Sequence, residues 1–416
     1  MSTAYADTTN MVQEVPPRPA RWQVLRSRAF LVLLGAQGAS LLGDFFNYVA
    51  VAWLVLQLTG SNLAVGAVLA AASVPRAILM LLGGAVSDRF SPRTSMLVGG
   101  FARALVMGIL AGLALTHTVQ LWHLFVGSFL IGIIAAFFLP ASTSMLPRIV
   151  PSEQLEAGNA FMTLSRFGAT VLGPALGGVL VAVLGAGAAL AADAAGYALA
   201  GLLVIALPSG HVAANGSGKN ALQDIWEGVV HVWNDVPLRT VLAVIAVVNL
   251  LGLPGIQVGL PALAYERFAL GAVALGGGFA AFGLGAVAGA LVASALPAPR
   301  LSWLMVGTAV VFGAGLAVVG LAPTLPLLLL ALAVMGVVAG ASNPYLISWL
   351  QRRTDPSMQG RMMSLVMLAS VGLEPVGLAL GGVVAERNLD LLFWGAGALI
   401  ALIGVIATLS RSVRAE

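Results

Sequence analysis

Apolar runs of about twenty residues recur along this chain, divided by short polar turns, and no other feature restricts its fold so strongly. A hydrocarbon core about 30 Å thick takes roughly 20 helical residues to cross. Inside lipid the backbone N–H and C=O groups find no water, so a spanning segment is either a helix or a strand of a closed barrel. Runs of this length, without the ten-residue alternation of barrel strands, select helices. Twelve spans are read, centred near residues 43, 75, 106, 133, 170, 197, 250, 283, 312, 337, 371 and 400. The predicted fold class is all-α integral membrane.

Composition agrees: 59% of residues are hydrophobic and 9% are charged, against about 25% charged in soluble domains. An even number of spans places both termini on one side. Arg18, Arg21, Arg26, Arg28, Arg89, Arg93, Arg148, Lys219, Arg239, Arg300, Arg352, Arg353, Arg361, Arg411 and Arg414 fall in the loops and tails of that side, and only Arg267 and Arg387 on the other. The positive-inside rule then sets both termini in the cytoplasm. The arginines are scattered singly and form no basic stripe, so nucleic acid is not an expected partner. Cysteine is absent, which excludes disulfides, thiolate metal sites and thiol catalysis. No phosphate-binding Gly-x-x-x-x-Gly-Lys-Ser/Thr loop, metal-ligand cluster or nucleophile constellation is present, so neither an enzyme nor a cofactor is expected.

The stretch 1–28 carries Pro16, Pro17 and Pro19 without an apolar core and is read as a cytosolic tail, not a cleaved signal peptide. A six-helix half is expected over 29–208. Residues 209–238 follow as a cytosolic linker: Asn215 to Asn220 is flexible in composition, and Leu222, Ile225, Trp226, Val229, Val230 and Trp233 recur at helical spacing. That amphipathic helix either lies on the membrane surface or packs beneath the protein. A second six-helix half over 239–410 and a tail over 411–416 complete the division. The halves repeat: at an offset of 204, Pro140, Ser144, Arg148, Gly168, Gly173, Gly177 and Gly178 face Pro344, Ser348, Arg352, Gly372, Gly377, Gly381 and Gly382. Duplicated halves of this kind bind substrate between them, near the midplane.

Between spans 2 and 3 stands Gly84-x-x-x-Asp88-Arg89-x-Ser91-x-Arg93, which resembles the loop motif of the major facilitator superfamily of transporters, with Ser91 in place of a glycine and Pro92 in place of a basic residue. In span 5, Gly173-Pro174-x-x-Gly177-Gly178 resembles the motif of that family's drug–proton antiporters. Gly43-Asp44 with Tyr48, the Pro151 to Asn159 loop and Ala192-Asp193-Ala194 are similar to the branch of macrolide and enterobactin exporters. The resemblance implies a major facilitator fold, a conformational motif at Gly84, Asp88, Arg89 and Arg93, and a hinge at Gly173, Pro174, Gly177 and Gly178. It implies proton-coupled efflux of amphipathic small molecules by alternating access, with a small-molecule substrate, protons and the lipid bilayer as partners, in a monomer. Span 4 lacks the arginine that many proton-coupled members carry. That absence keeps open a siderophore or lipid carrier or an uncoupled facilitator, and, beyond transport, a receptor or assembly factor.

Six ionisable residues fall within spans: Asp44, Asp193, Glu374, Arg76, Arg103 and Arg166. Each costs at least ~2.5 kcal/mol at mid-bilayer, so each needs a partner, water or a function. Gln37, Ser40, Asp44 and Asn47 form one polar stripe at steps of three and four, expected to face a central cavity beside Phe45, Phe46 and Tyr48. Glu374 lies mid-span before Pro375. Desolvation favours the neutral form of a carboxyl, the property a proton carrier needs; a salt bridge to an arginine of the other half is the competing reading. Arg166 is expected to be the counter-ion of Asp44 or Glu374, and Arg103 to snorkel to the cytosolic surface. Asp193 is read as structural. Asn249, Gln257, Asn343 and Tyr345 are expected to line the cavity from the second half, with helix breaks at Pro254 and Pro344.

Overall fold

The computed structural model describes residues 22–87, 91–208, 230, 232–355 and 358–409. Asp88 and Arg89 of the hairpin, both tails apart from 22–28, and all of the linker before Val230 lie outside the described residues.

Among the described residues, twelve helices are long and apolar enough to cross a membrane. They are α1 (Arg28–Thr59), α2 (Asn62–Ser87), α3 (Pro92–Leu115), α4 (Leu121–Ile149), α5 (Leu155–Leu184) and α6 (Ala186–Ile205) in the first half. The second half holds α7 (Val236–Arg267), α8 (Ala272–Ala295), α9 (Leu301–Leu321), α10 (Leu325–Arg353), α11 (Arg361–Arg387) and α12 (Leu389–Leu409). The ends are set by local chemistry. Ser27 Oγ accepts from the Phe30 amide at 3.3 Å to start α1, and Gly60, at φ 63°, ends it in the left-handed region open to glycine. Ser91 accepts from the Thr94 amide at 3.3 Å and Pro92 takes the first position of α3, which accounts for both departures from the hairpin motif.

Two helices break where a cavity needs irregular backbone. α7 passes through a π-helical stretch at Gly255–Gly259 immediately after Pro254, as expected. α11 is interrupted between Val371 and Glu374, so Glu374 opens the helical segment Glu374–Arg387. The break expected at Pro344 does not occur. α10 runs through it from Leu325 to Arg353.

The repeated glycines place these helices. Gly173 and Gly177 of α5 sit against Phe45 and Phe46 of α1, and their repeat mates Gly377 and Gly381 of α11 sit against Leu250 and Pro254 of α7. The third pair joins the halves. Gly178 meets Gly276 of α8, Gly382 meets Gly66 of α2, and a Cβ at 178 would stand 2.5 Å from the Ala272 carbonyl oxygen. With the near side defined as the one bearing the start of α1 and the end of α12, both contacts lie towards the far side. There too Asn62 donates to Glu266 at 3.2 Å, and the Ser61 hydroxyl and the Leu63 amide donate to Glu386 at 3.0 Å. The halves pack most closely at that end.

Gly178→Ala is expected to impair transport severely, because its Cβ meets backbone that cannot swing aside, and overpacking costs typically ~1–3 kcal/mol. Gly168→Ala, ten residues earlier on α5, meets nothing within 4 Å and should leave transport intact. Export by the two variants, compared at equal expression, checks this contrast.

Candidate functional site

Between the halves lie two adjoining cavities that share Phe45, Tyr48 and Gln257 as walls. The larger, about 700 Å³, is lined mainly from the second half by Phe279, Phe282, Phe312, Val248 and other apolar groups, with Asn249, Gln257, Asn343, Thr308 and Ser370 among them and no charged side chain. Its walls extend to Val241, Leu304 and Leu350, close to the near-side ends of α7, α9 and α10. The smaller, about 440 Å³, is lined mainly from the first half and holds Asp44, Glu374, Arg76, Arg103 and Arg166. An apolar wall thus faces a charged one.

The polar stripe of α1 does face this space: Gln37, Ser40, Asp44 and Asn47 all line it, with Phe45 and Tyr48. Phe46 instead packs on Gly177. Asn249, Gln257 and Asn343 line the larger cavity as expected, whereas Tyr345 does not. Two residues on from Asn343 is about 200° round a helix, and the Tyr345 hydroxyl donates to the Leu296 carbonyl at 3.0 Å.

The ion pairs are not those expected of Arg166. Asp44 pairs with Arg103 at 3.5 Å and accepts a hydrogen bond from the Tyr197 hydroxyl of α6. Glu374 pairs with Arg76 across the halves at 2.5 Å and accepts from Ser73 at 3.1 Å. The Glu374 carboxylate also stands at a helix N-terminus, where the backbone dipole favours negative charge. Of the two readings for Glu374, the structure presents the bridge to an arginine of the other half. Arg166 lines the smaller cavity, with its guanidinium in no ion pair or side-chain hydrogen bond to a described residue.

Arg103 does not snorkel. It stands eleven residues into α3, about 16 Å along the axis. There it is 3% exposed, with its guanidinium 3.9 Å from the Phe138 ring centroid and 5.0 Å from that of Tyr197. Cation–π contact and the ion pair together hold the charge at that depth. Tyr197, missed in the sequence, is fully buried at the centre of this group. Helical spacing gave the one available signal, since Tyr197 lies one turn from Asp193 on α6. Arg93 donates to the Ile205 carbonyl at 2.7 Å, tying the start of α3 to the end of α6, and Gly84 lies within α2.

Two six-helix sets around a central cavity, closed on one side and carrying ion pairs at mid-depth, make up a multi-pass membrane protein with the architecture of a transporter. The chain belongs to the Major Facilitator Superfamily, whose family model matches residues 33–373. It is 28% identical over 406 residues to the multidrug efflux pump Tap of Mycolicibacterium fortuitum, covering 94% of this chain and 97% of that one. It is 22% identical to macrolide efflux protein A of Streptococcus pyogenes, covering 92% and 96%. In fold it matches a crystal structure of a mutant nucleoside transporter NupG with a TM-score of 0.72 at 13% identity, over 92% of this chain and 98% of that one. Its bacterial relatives and twelve apolar helices make it a protein of the cytoplasmic membrane.

Proposed function

We propose that this transporter exports amphipathic small molecules from the cytoplasm, driven by proton entry, by alternating access of two six-helix halves joined through the linker over 209–238. The observation that carries the reading is the central space itself: a large uncharged wall of aromatic and amide side chains, facing an acid-bearing wall, reached from the near side and closed at the far side. With both termini cytoplasmic by the positive-inside rule, that is a cytoplasm-facing loading state. The apolar wall takes the body of a substrate by burial, and Gln257, Asn249 and Asn343 orient its polar groups.

Asp44 is the group through which the cavity exchanges protons, since its side chain is 38% exposed there while Arg103 and Tyr197 hold it from behind. Protonating Asp44 removes its charge and releases Arg103 from the pair. Glu374 and Arg76 act as a latch between halves, which export must open. Gly173, Pro174, Gly177 and Gly178 supply the surface on which α5 slides, and a monomer suffices because the whole pathway lies within one chain.

A second reading, an uncoupled carrier, is favoured by α4. Between His123, whose ring nitrogen accepts from the Gln120 amide at 2.9 Å to cap that helix, and Arg148, it holds no ionisable residue. Reconstituted protein decides between them: export against a concentration gradient, started by an imposed pH gradient and stopped by dissipating it, supports the antiporter, and gradient-independent equilibration supports the carrier.

Three arginines and two acids line the smaller cavity, and Arg166 is the cation without an acid. Substrates bearing a carboxylate or another strong acceptor therefore have a partner in the first half. Arg166→Gln is expected to weaken their binding about tenfold, the ~1.4 kcal/mol of one charge-assisted bond at a part-hydrated site, and neutral substrates much less. Equal losses for both classes would remove this contact.

A further inference from the structure

We propose that Asp193 carries a proton in this conformation and passes it to Asp44 during the transport cycle, so that coupling rests on a pair of carboxyls around one arginine. The proposal rests on the antiporter reading for its role in transport, but not for the protonation itself.

Asp193 is 0% exposed, and neither of its carboxyl oxygens has a hydrogen-bond partner among the described residues. An ionised carboxylate in such a place would forfeit its hydration with only the Asn47 amide and the shared Arg103 nearby in return. Its surroundings are complete on every packed side. From α1 come Asp44 and Asn47, from α3 comes Arg103, and from α6 itself comes Tyr197. α5, the remaining neighbour, carries Glu156 and Arg166, and neither is paired with it. Two acids therefore share the influence of a single buried cation.

The geometry says which acid is charged. Asp44 has the ion pair with Arg103, the Tyr197 hydroxyl donating to it, and access to the cavity. Asp193 has none of these, and like charges so placed cannot both ionise cheaply. The negative charge sits on Asp44 and the proton on Asp193.

The sequence makes room for this carboxyl deliberately. A Cβ at Gly43 would stand 2.5 Å from Asp193 Oδ1, so the glycine preceding Asp44 is required by the acid on the opposite helix. α1 and α6 thus approach at Gly43, where the Asp193 carboxyl lies, and Asp44 is the next residue of α1. Transfer of the proton breaks one O–H bond on Asp193 and forms one on Asp44, and the charge of the cluster is unchanged. Asp193 stands seven residues from the far-side start of α6, about 10 Å along its axis, and Asp44 opens to the cavity reached from the near side. Because Asp193 meets Gly43, the residue before Asp44, the two acids lie at one depth, and the access of Asp44 to the cavity is what distinguishes them.

The test uses the purified full chain in lipid. Infrared difference spectra at neutral pH are expected to show the carbonyl band of a buried carboxylic acid, lost in Asp193→Asn and kept in Glu374→Gln, which lies outside this cluster. Asp193→Glu, which keeps an ionisable group, should shift the band without deleting it, so the assignment stands even where the asparagine variant does not fold. A band unaffected at position 193, or no band, overturns the proposal. In proteoliposomes, Asp193→Asn or Asp193→Glu should lose or shift the pH dependence of gradient-driven export, and a profile identical to the unmodified protein in both overturns the coupling role. If the unmodified protein ignores the pH gradient, the antiporter reading fails, while the infrared band still decides where the proton sits.

Discussion

Asp44→Asn is expected to reduce pH-gradient-driven export to background while substrate still binds. Asparagine keeps the shape and accepts the Tyr197 hydroxyl, but it cannot take up and release a proton. The substitution also leaves Arg103, 3% exposed, without its anion. Removing one partner of a buried pair costs ~3–5 kcal/mol, and the cost here falls at the lower end because Asp44 is open to the cavity. A thermal shift would accompany the loss of export. Asp44→Asn with Arg103→Gln separates the two effects: stability should recover and export should not. Export and melting temperature of both variants in the same lipid make the check. Uphill, gradient-dependent export surviving in Asp44→Asn with Glu374→Gln would leave both acids as structural groups.

The second large effect is expected at the bridge between halves. Glu374→Ala leaves Arg76 unpaired at mid-depth and removes the acceptor of Ser73, so the halves lose the ion pair that joins them beneath the far-side closure. A cost of ~3 kcal/mol corresponds to about a hundredfold in the ratio of closed to open far side. The chain has no cysteine, so a single Leu69→Cys in the cavity wall reports opening without background. An impermeant maleimide added on the far side should label it slowly in the parent and rapidly in Glu374→Ala. Exchanging the partners, Arg76→Glu with Glu374→Arg, should slow labelling again. Identical labelling in all three would remove the latch. The glycine contacts at Gly178 and Gly66 and the hydrogen bonds of Ser61, Asn62 and Leu63 to Glu386 and Glu266 would then hold that end.

Membrane insertion, the number of helices and their pairing by repeat were legible in the chain, because lipid leaves a segment only one way to satisfy its backbone and the apolar runs are of spanning length. The stripe on α1 was legible for the same reason, since a polar face has nowhere to go but inward. The Glu374 to Arg76 bridge was within reach: Arg76 is fourteen residues from the far-side start of α2 and Glu374 thirteen from the far-side end of α11, both about 20 Å deep. Depth alone makes them candidates. What one-dimensional spacing does not give is azimuth across helices. Whether Arg166 or Arg103 reaches Asp44 depends on which faces of α5 and α3 turn towards α1, and that is fixed by glycines meeting backbone on other helices. The same packing alone decided that Asp193, an unremarkable acid near a helix end in the sequence, is sealed without a partner beside a charged pair.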